Sequence, residues 1–260
     1  MQPRVLKTKY AFHLLAAYLK PEVILDIGSM DGADSKRFAK LVPAASIVAF
    51  EGNPYNYRAM CADEQISNAS IRVENCLVSN EPGASRFFVQ RPESDTATFN
   101  RGTSSTLERS LEGARMEEVT LDAVRVDAFL DNEYPSASKV AAWVDVEGFS
   151  YGVLQSMEGA ADRIKLLHVE VETTEIWPRQ KLESDVVALA GRMGFDMVAR
   201  GPGDLQRDVI FVNKDWYAAN RKSILNILGL SRLIGPTASR IVGAGCWQAL
   251  VGPVLGRIFK

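Results

Sequence analysis

Two hydrophobic textures alternate along this chain. Short, nearly unbroken apolar runs at 23–27, 46–51, 70–78, 140–145 and 164–171 read as strands buried on both faces. Between them, apolar residues recur at helical spacing. Leu6, Tyr10, Leu14 and Tyr18 mark a helix over 5–19 that Pro21 ends. Further helices are predicted at 32–41, stopped near Pro43, at 53–62 after Asn53-Pro54, from about 127, at 148–157 and at 180–193. Residues 84–90 and 117–121 read as additional strands. The runs 195–200 and 208–213 flank Gly201-Pro202-Gly203-Asp204 and read as a terminal antiparallel hairpin. Alternation of strand and helix followed by a hairpin predicts an α/β fold: a mostly parallel, Rossmann-like sheet with helices on both faces.

Two stretches fall outside this rhythm. Residues 91–116 are polar and aperiodic and carry Ser104-Ser105-Thr106 with Arg101, Arg109 and Arg115. A segment of that length without clear structure is usually functional or disordered, so these arginines either meet an anionic acceptor or are simply solvated. Residues 216–260 hold six basic residues and no acid, and 241–256 carry no charge at all. We therefore divide the chain into a body, 1–214, whose first 20 residues are the N-terminal helix, and a basic, apolar helical extension, 215–260. The uncharged run is shorter than a membrane span and is broken by Pro253 and glycines. The extension is suited to packing on the body, to a homodimer interface, or to peripheral contact with the inner membrane surface.

The net charge of −2 hides an acidic body, a poor match to polyphosphate, and nucleic acid is not expected as a partner. Cys61, Cys76 and Cys246 are widely spaced with no metal-ligand pattern, and the N-terminus lacks a signal-peptide core, which predicts a cytoplasmic protein.

The chemistry gathers at strand ends, where open α/β sheets bind ligands. Asp26 and Gly28 end the first run, Gly32 follows, and Glu51 ends the next, 23 residues beyond Gly28. Glycines let the backbone turn tightly and approach a ligand, and an acid at about that spacing hydrogen-bonds a ribose. Dinucleotides and S-adenosylmethionine are both held this way. Asp145 ends the 140–145 run and is the leading acid for an acceptor; its alternative role is to hold the turn with Glu147. His168, Glu170 and Glu172 alternate along one strand face, with Glu172 nearest the expected pocket and His168 the chain's one imidazole base near it, since His13 sits on the first helix. Asp145, Glu147 and Glu172 would also suit Mg2+, but no spacing demands it and no metal is assigned.

Asp26-Ile27-Gly28-Ser29-Met30-Asp31-Gly32 resembles the cofactor loop of class I S-adenosylmethionine-dependent methyltransferases. Val144-Asp145-Val146-Glu147-Gly148 with Val153-Leu154 is similar to the signature of the FkbM methyltransferases. Ser104-Ser105-Thr106-Leu107, Val126-Asp127-Ala128-Phe129-Leu130 and 167–172 resemble further blocks in that family's order, so the resemblance runs from about 22 to 213. It implies methyl transfer from S-adenosylmethionine to a hydroxyl of a sugar, glycan or secondary metabolite. By resemblance, Asp26, Gly28, Ser29 and Gly32 surround the methionine portion of the cofactor, Glu51 the ribose, and Asn75 and Cys76 the adenine. Asp145, Glu172 and His168 are the catalytic candidates. Departures are Met30, Gly52 after Glu51, and Ser150 in place of the signature's second acid. Two other readings are a nicotinamide-dependent oxidoreductase, disfavoured by the lack of G-x-G-x-x-G spacing, and a non-catalytic scaffold using the extension for partners.

Overall fold

The computed structural model describes residues 3–90, 104–108 and 116–242. Arg4–Val5 (β1) precedes a first helix at Thr8–Leu19 (α1), which starts later than the periodicity suggests because its first residues pair as a strand instead. Val23–Ile27 (β2), Ala33–Leu41 (α2) and Ser46–Phe50 (β3) follow. Pro54–Cys61 (α3) begins where Asn53 accepts a hydrogen bond from the Tyr55 N–H and Pro54 occupies the first turn. Asp63 caps a further short helix at Glu64–Asn68 (α4), too brief for its periodicity to register in the sequence.

The expected single strand over 70–78 is two strands. Arg72–Glu74 (β4) joins the main sheet, and Leu77–Val78 (β5) joins a separate one. The break is at Asn75, whose Nδ2 donates to the carbonyl oxygens of Glu51 (2.8 Å) and Gly52 (3.3 Å) and so turns the chain across the end of β3. Gly83–Gln90 (β6) and Met116–Val124 (β7) complete the second sheet, ordered β5-β7-β6.

Val126–Glu133 (α5), Val140–Val144 (β8), Ser150–Gln155 (α6), Ile164–Glu172 (β9) and Glu183–Arg192 (α7) lead to the hairpin of Phe195–Arg200 (β10) and Gln206–Asn213 (β11). The main sheet runs β1-β10-β11-β9-β8-β2-β3-β4. Only the β10/β11 and β11/β9 pairings are antiparallel. Central strands β2 and β8 are buried at every residue, which is why they read as unbroken apolar runs. One core face packs Phe12, Leu15, Phe38 and Ile224 from the helices on that side. The opposite face packs Leu130, Val153, Leu154, Val186 and Leu189.

Lys214–Val242 (α8) carries the first part of the extension, with a kink at Asn220. Ile224, Ile227 and Leu228 are buried in the same core as α1, and Tyr18 donates to Asn220 at 2.8 Å. The extension thus begins as part of the body. No helix among the described residues is long and apolar enough to cross a membrane. Most of the uncharged run, and Arg101, Arg109 and Arg115, lie outside the described residues.

Candidate active site at the switch point of the sheet

From β2 the chain works outward through β3 and β4. It then returns to place β8 on the other side of β2 and β9 beyond it. A crevice opens where strand order reverses, at the carboxyl ends of β2 and β8. A cavity of about 300 Å3 lies there, lined among others by Gly28, Met30, Glu51, Cys76, Asp145 and Glu170.

Its floor is a backbone junction. The Asp145 N–H donates to the Ile27 carbonyl at 2.9 Å, and the N–H groups of Gly28 and Ser29 both donate to the Phe50 carbonyl. Gly28 has φ +84, and a Cβ there would overlap the Asp145 carbonyl oxygen. Only glycine combines that dihedral with that approach.

Glu51 closes one side. Its Oε2 accepts from the Met30 N–H (2.6 Å) and its Oε1 from the Asn53 N–H (2.7 Å), which fixes the carboxylate at the cavity rim with lone pairs to spare. Burial pushes it up to about 7 in spite of those donors. Cys76, Leu77, Val78 and Phe87 make the apolar wall beyond it, and burial pushes the Cys76 thiol up to about 12.

Opposite stands the acidic side. Ligand atoms of Asp145, Glu147 and Glu170 all lie within 4.8 Å of one another. Register explains the pair at its centre: Val144 of β8 lies beside Val169 of β9, so the next residues, Asp145 and Glu170, are neighbours on one face. Burial raises both, and a hydrogen bond between them eases the cost for Asp145. Glu147 is held at φ +45, a left-handed conformation uncommon outside glycine, and its carbonyl accepts from Ser105 Oγ at 2.7 Å. Ser105 also bridges to Phe88 of β6, which brings Ser104 and Thr106 to the cavity wall.

The other sequence candidates stand outside the lining. Asp26 is buried behind the loop, accepts from Ser35 Oγ of α2, and is pushed up to about 7 by burial. Ser29 Oγ donates to the Phe50 carbonyl, and Gly32 sits at the N-terminus of α2 with φ +66. Asn75 braces the loop after Glu51 as described. Glu172 is buried, accepts from the Gly148 N–H, and is pushed up to about 7 by burial, so it supports the turn after β8. His168 lies under α1, its ring stacked on Trp143 at 3.5 Å with Phe12 edge-on, and burial holds it well below the usual imidazole range. Strand alternation identified the face shared by His168, Glu170 and Glu172, and it is Glu170 that enters the cavity. Phe87, Asn56 and Phe149 also line it and were not singled out from sequence. The alternation within 84–90 was their one available signal, for Phe87.

These groups make stability depend on pH. Asp26, Glu51 and Glu172 keep protons in the folded state that the unfolded chain releases at ordinary carboxylate values, so stability falls as pH rises from about 4.5 to about 7. His13, held at about 4 by burial, and His168 are neutral when folded, so stability is also lost as pH falls below about 6.5. The apoprotein is therefore expected to be more stable, and to melt at a higher temperature, near pH 6 than near pH 8 in calorimetric scans, each buried acid contributing roughly 1 kcal/mol against a smaller opposing contribution from the two histidines. A melting temperature that rises from pH 6 to pH 8 would contradict this assignment of protons.

A glycine loop over the end of β2, an acid at the end of β3 and acids at the end of β8 on this sheet define an α/β protein of the class I methyltransferase type. Residues 26–197 match the methyltransferase FkbM domain. The chain belongs to the FkbM methyltransferase family. It is 24% identical over 200 residues to the 2-O-methyltransferase NoeI of Sinorhizobium fredii (strain NBRC 101917 / NGR234), covering 75% of this chain and 81% of NoeI. Similar solved structures include magnesium protoporphyrin IX methyltransferase of Synechocystis PCC 6803 with bound SAM (12% identity, 79% of this chain and 76% of that one, TM-score 0.45). The N-terminal domain of EvdMO1 with SAH bound is another (14% identity, 80% and 82%, TM-score 0.43). The protein is an S-adenosylmethionine-dependent methyltransferase, and the family match and the NoeI relative support transfer to oxygen. Neither supports the oxidoreductase or scaffold reading.

The residues present fit that cofactor. Gly28 presents bare backbone to the cavity, Glu51 offers acceptors to a diol, and the acidic side suits a sulfonium and an ammonium group.

Proposed function

We propose that this protein methylates a hydroxyl oxygen of a small-molecule or glycan acceptor, with Asp145 taking the hydroxyl proton. The observation that carries the reading is the position of Asp145: it is joined to the glycine loop by backbone contact and faces the cavity beside Glu147 and Glu170. When bound, S-adenosylmethionine supplies an electrophilic methyl group. A neutral hydroxyl is a weak nucleophile, so a carboxylate within reach of its proton raises the rate. In this reading Gly28 and Met30 border the methionine portion, Glu51 accepts from the ribose hydroxyls, and Cys76, Leu77, Val78 and Phe87 enclose the adenine. Ser104, Thr106 and Phe149 border the acceptor. Thr106 Oγ1 is buried with no hydrogen-bond partner among the described residues, as a group reserved for a ligand would be. His168 is not proposed as the base, since its ring is committed to the aromatic core.

Calorimetric titration tests the cofactor half of the reading. S-adenosylhomocysteine should bind and NAD+ should not. Glu51→Ala should weaken binding about 10- to 100-fold, the loss of hydrogen bonds to a charged acceptor. Unchanged affinity in that variant would remove Glu51 from the site. Methyl transfer from labelled S-adenosylmethionine to a panel of sugars and hydroxylated metabolites tests the other half. Label appearing only on nitrogen, carbon or sulfur of the products would refute oxygen as the acceptor atom.

A further inference from the structure

We propose that Glu170 is a positioning residue for this reaction, holding a proton that it donates in a hydrogen bond to Asp145, so that the pair meets the substrates with one negative charge and Asp145 as the free base. This rests on the reading of Asp145 as proton acceptor.

Geometry carries the argument. Adjacent parallel strands put Asp145 and Glu170 side by side on the face covered by α1. Two carboxyl groups in contact in a half-buried site cannot both ionise cheaply, so they share a proton. The surroundings say which keeps it. Glu147 lies close to both, but Asp208 is the direct register partner of Glu170 on β11 and adds its negative charge there. Asp208 is itself raised by burial and accepts from Thr8 Oγ1 at 3.1 Å. Asp145 also faces Glu147 and, at longer range, Asp208, but it has the cation of Lys9 on α1, partly opposed by Asp34 on α2. His168, next along the face from Glu170, is neutral. Glu170 Oε2 is buried, and no N–H or O–H among the described residues reaches it, the condition expected of an oxygen that carries its own proton.

The charge balance follows. As the acceptor oxygen bonds the methyl carbon, the S–CH3 bond breaks and its electron pair stays on sulfur. The hydroxyl proton passes to Asp145. A sulfonium and a singly charged pair become a neutral thioether and a neutral pair. A doubly ionised pair would leave a net buried charge, and a neutral pair would have no base.

Steady-state pH profiles of Glu170→Leu and Glu170→Gln test this, with binding of S-adenosylhomocysteine as the check on folding. Leucine removes the donor, so kcat should fall about tenfold or more with KM little changed, and the acid limb should move up by about one pH unit. Glutamine keeps an N–H donor and should recover most of the lost kcat and return the limb toward wild type. An acid limb that moves down in Glu170→Leu, or a glutamine variant as slow as the leucine one, would overturn the proposal. If Glu170→Leu no longer binds S-adenosylhomocysteine, the glutamine variant alone decides, and a tenfold loss or a raised limb in it refutes the role. Wild-type activity lost in EDTA and restored by Mg2+ would also overturn it, because the three acids would then hold a cation. Full activity in Asp145→Asn would instead bring down the reading of Asp145, a separate failure.

Discussion

Asp145→Asn is expected to lower kcat by about 100- to 10,000-fold, the range typical of losing a positioned general base. The substitution is isosteric. It keeps the backbone N–H that donates to Ile27 and keeps a side chain able to hydrogen-bond Glu170, so the sheet and the loop have no reason to move. The amide does not take a proton at neutral pH, and the acceptor hydroxyl must then lose its proton to water. Binding is best followed with S-adenosylhomocysteine, which is uncharged at sulfur. Its affinity should stay near wild type, whereas S-adenosylmethionine should bind more weakly because a negative charge facing the sulfonium is gone. Burial raises Asp145, so the acid limb of the wild-type profile should lie above the ordinary carboxylate range. Single-turnover rates separate this from slow product release, and a variant with wild-type single turnover would remove Asp145 from the chemistry.

Gly28→Ala is the second large effect. Alanine at φ +84 is strained by about 1–3 kcal/mol, and overlap of its methyl with the Asp145 carbonyl costs a comparable amount. The overlap is with backbone, so no side chain can swing aside to relieve it. Either β2 and β8 separate at their ends or the loop leaves its bonds to Phe50. A loss of roughly 2–6 kcal/mol in denaturant unfolding is expected, with S-adenosylhomocysteine binding abolished. Near-normal affinity in a stable Gly28→Ala protein would show that the loop does not adopt this conformation in solution.

The central sheet was legible because β2, β3, β8 and β9 are buried on both faces and must be apolar along their length. Gly28, Glu51 and Asp145 were legible for a related reason, since each marks the point where such a run meets the crevice. The strands at 84–90 and 117–121 were legible too, but not their forming a second sheet with Leu77–Val78, because nothing in the composition of 70–78 announces that Asn75 will turn the chain across the end of β3. Strand alternation gave the shared face of His168, Glu170 and Glu172 but not their depth. Depth is set by where β8 stops relative to β9, a register between residues far apart in the chain. The same limit hid the fate of His168. Its ring is covered by Phe12, and the sequence does not say which helix will lie on that face.

The backbone junction between Gly28 and Asp145 has a consequence for how such an enzyme diversifies. The glycine loop and Asp145 are carried by adjacent central strands and cannot be adjusted one without the other. The opposite wall is carried by β5, β6 and the Ser104–Thr106 segment, a separate sheet attached through Ser105 to the Glu147 carbonyl. Retargeting the protein to a new acceptor, by evolution or by laboratory selection, should therefore accumulate substitutions in the Ser104–Thr106 segment and its connections while the two central strands stay fixed.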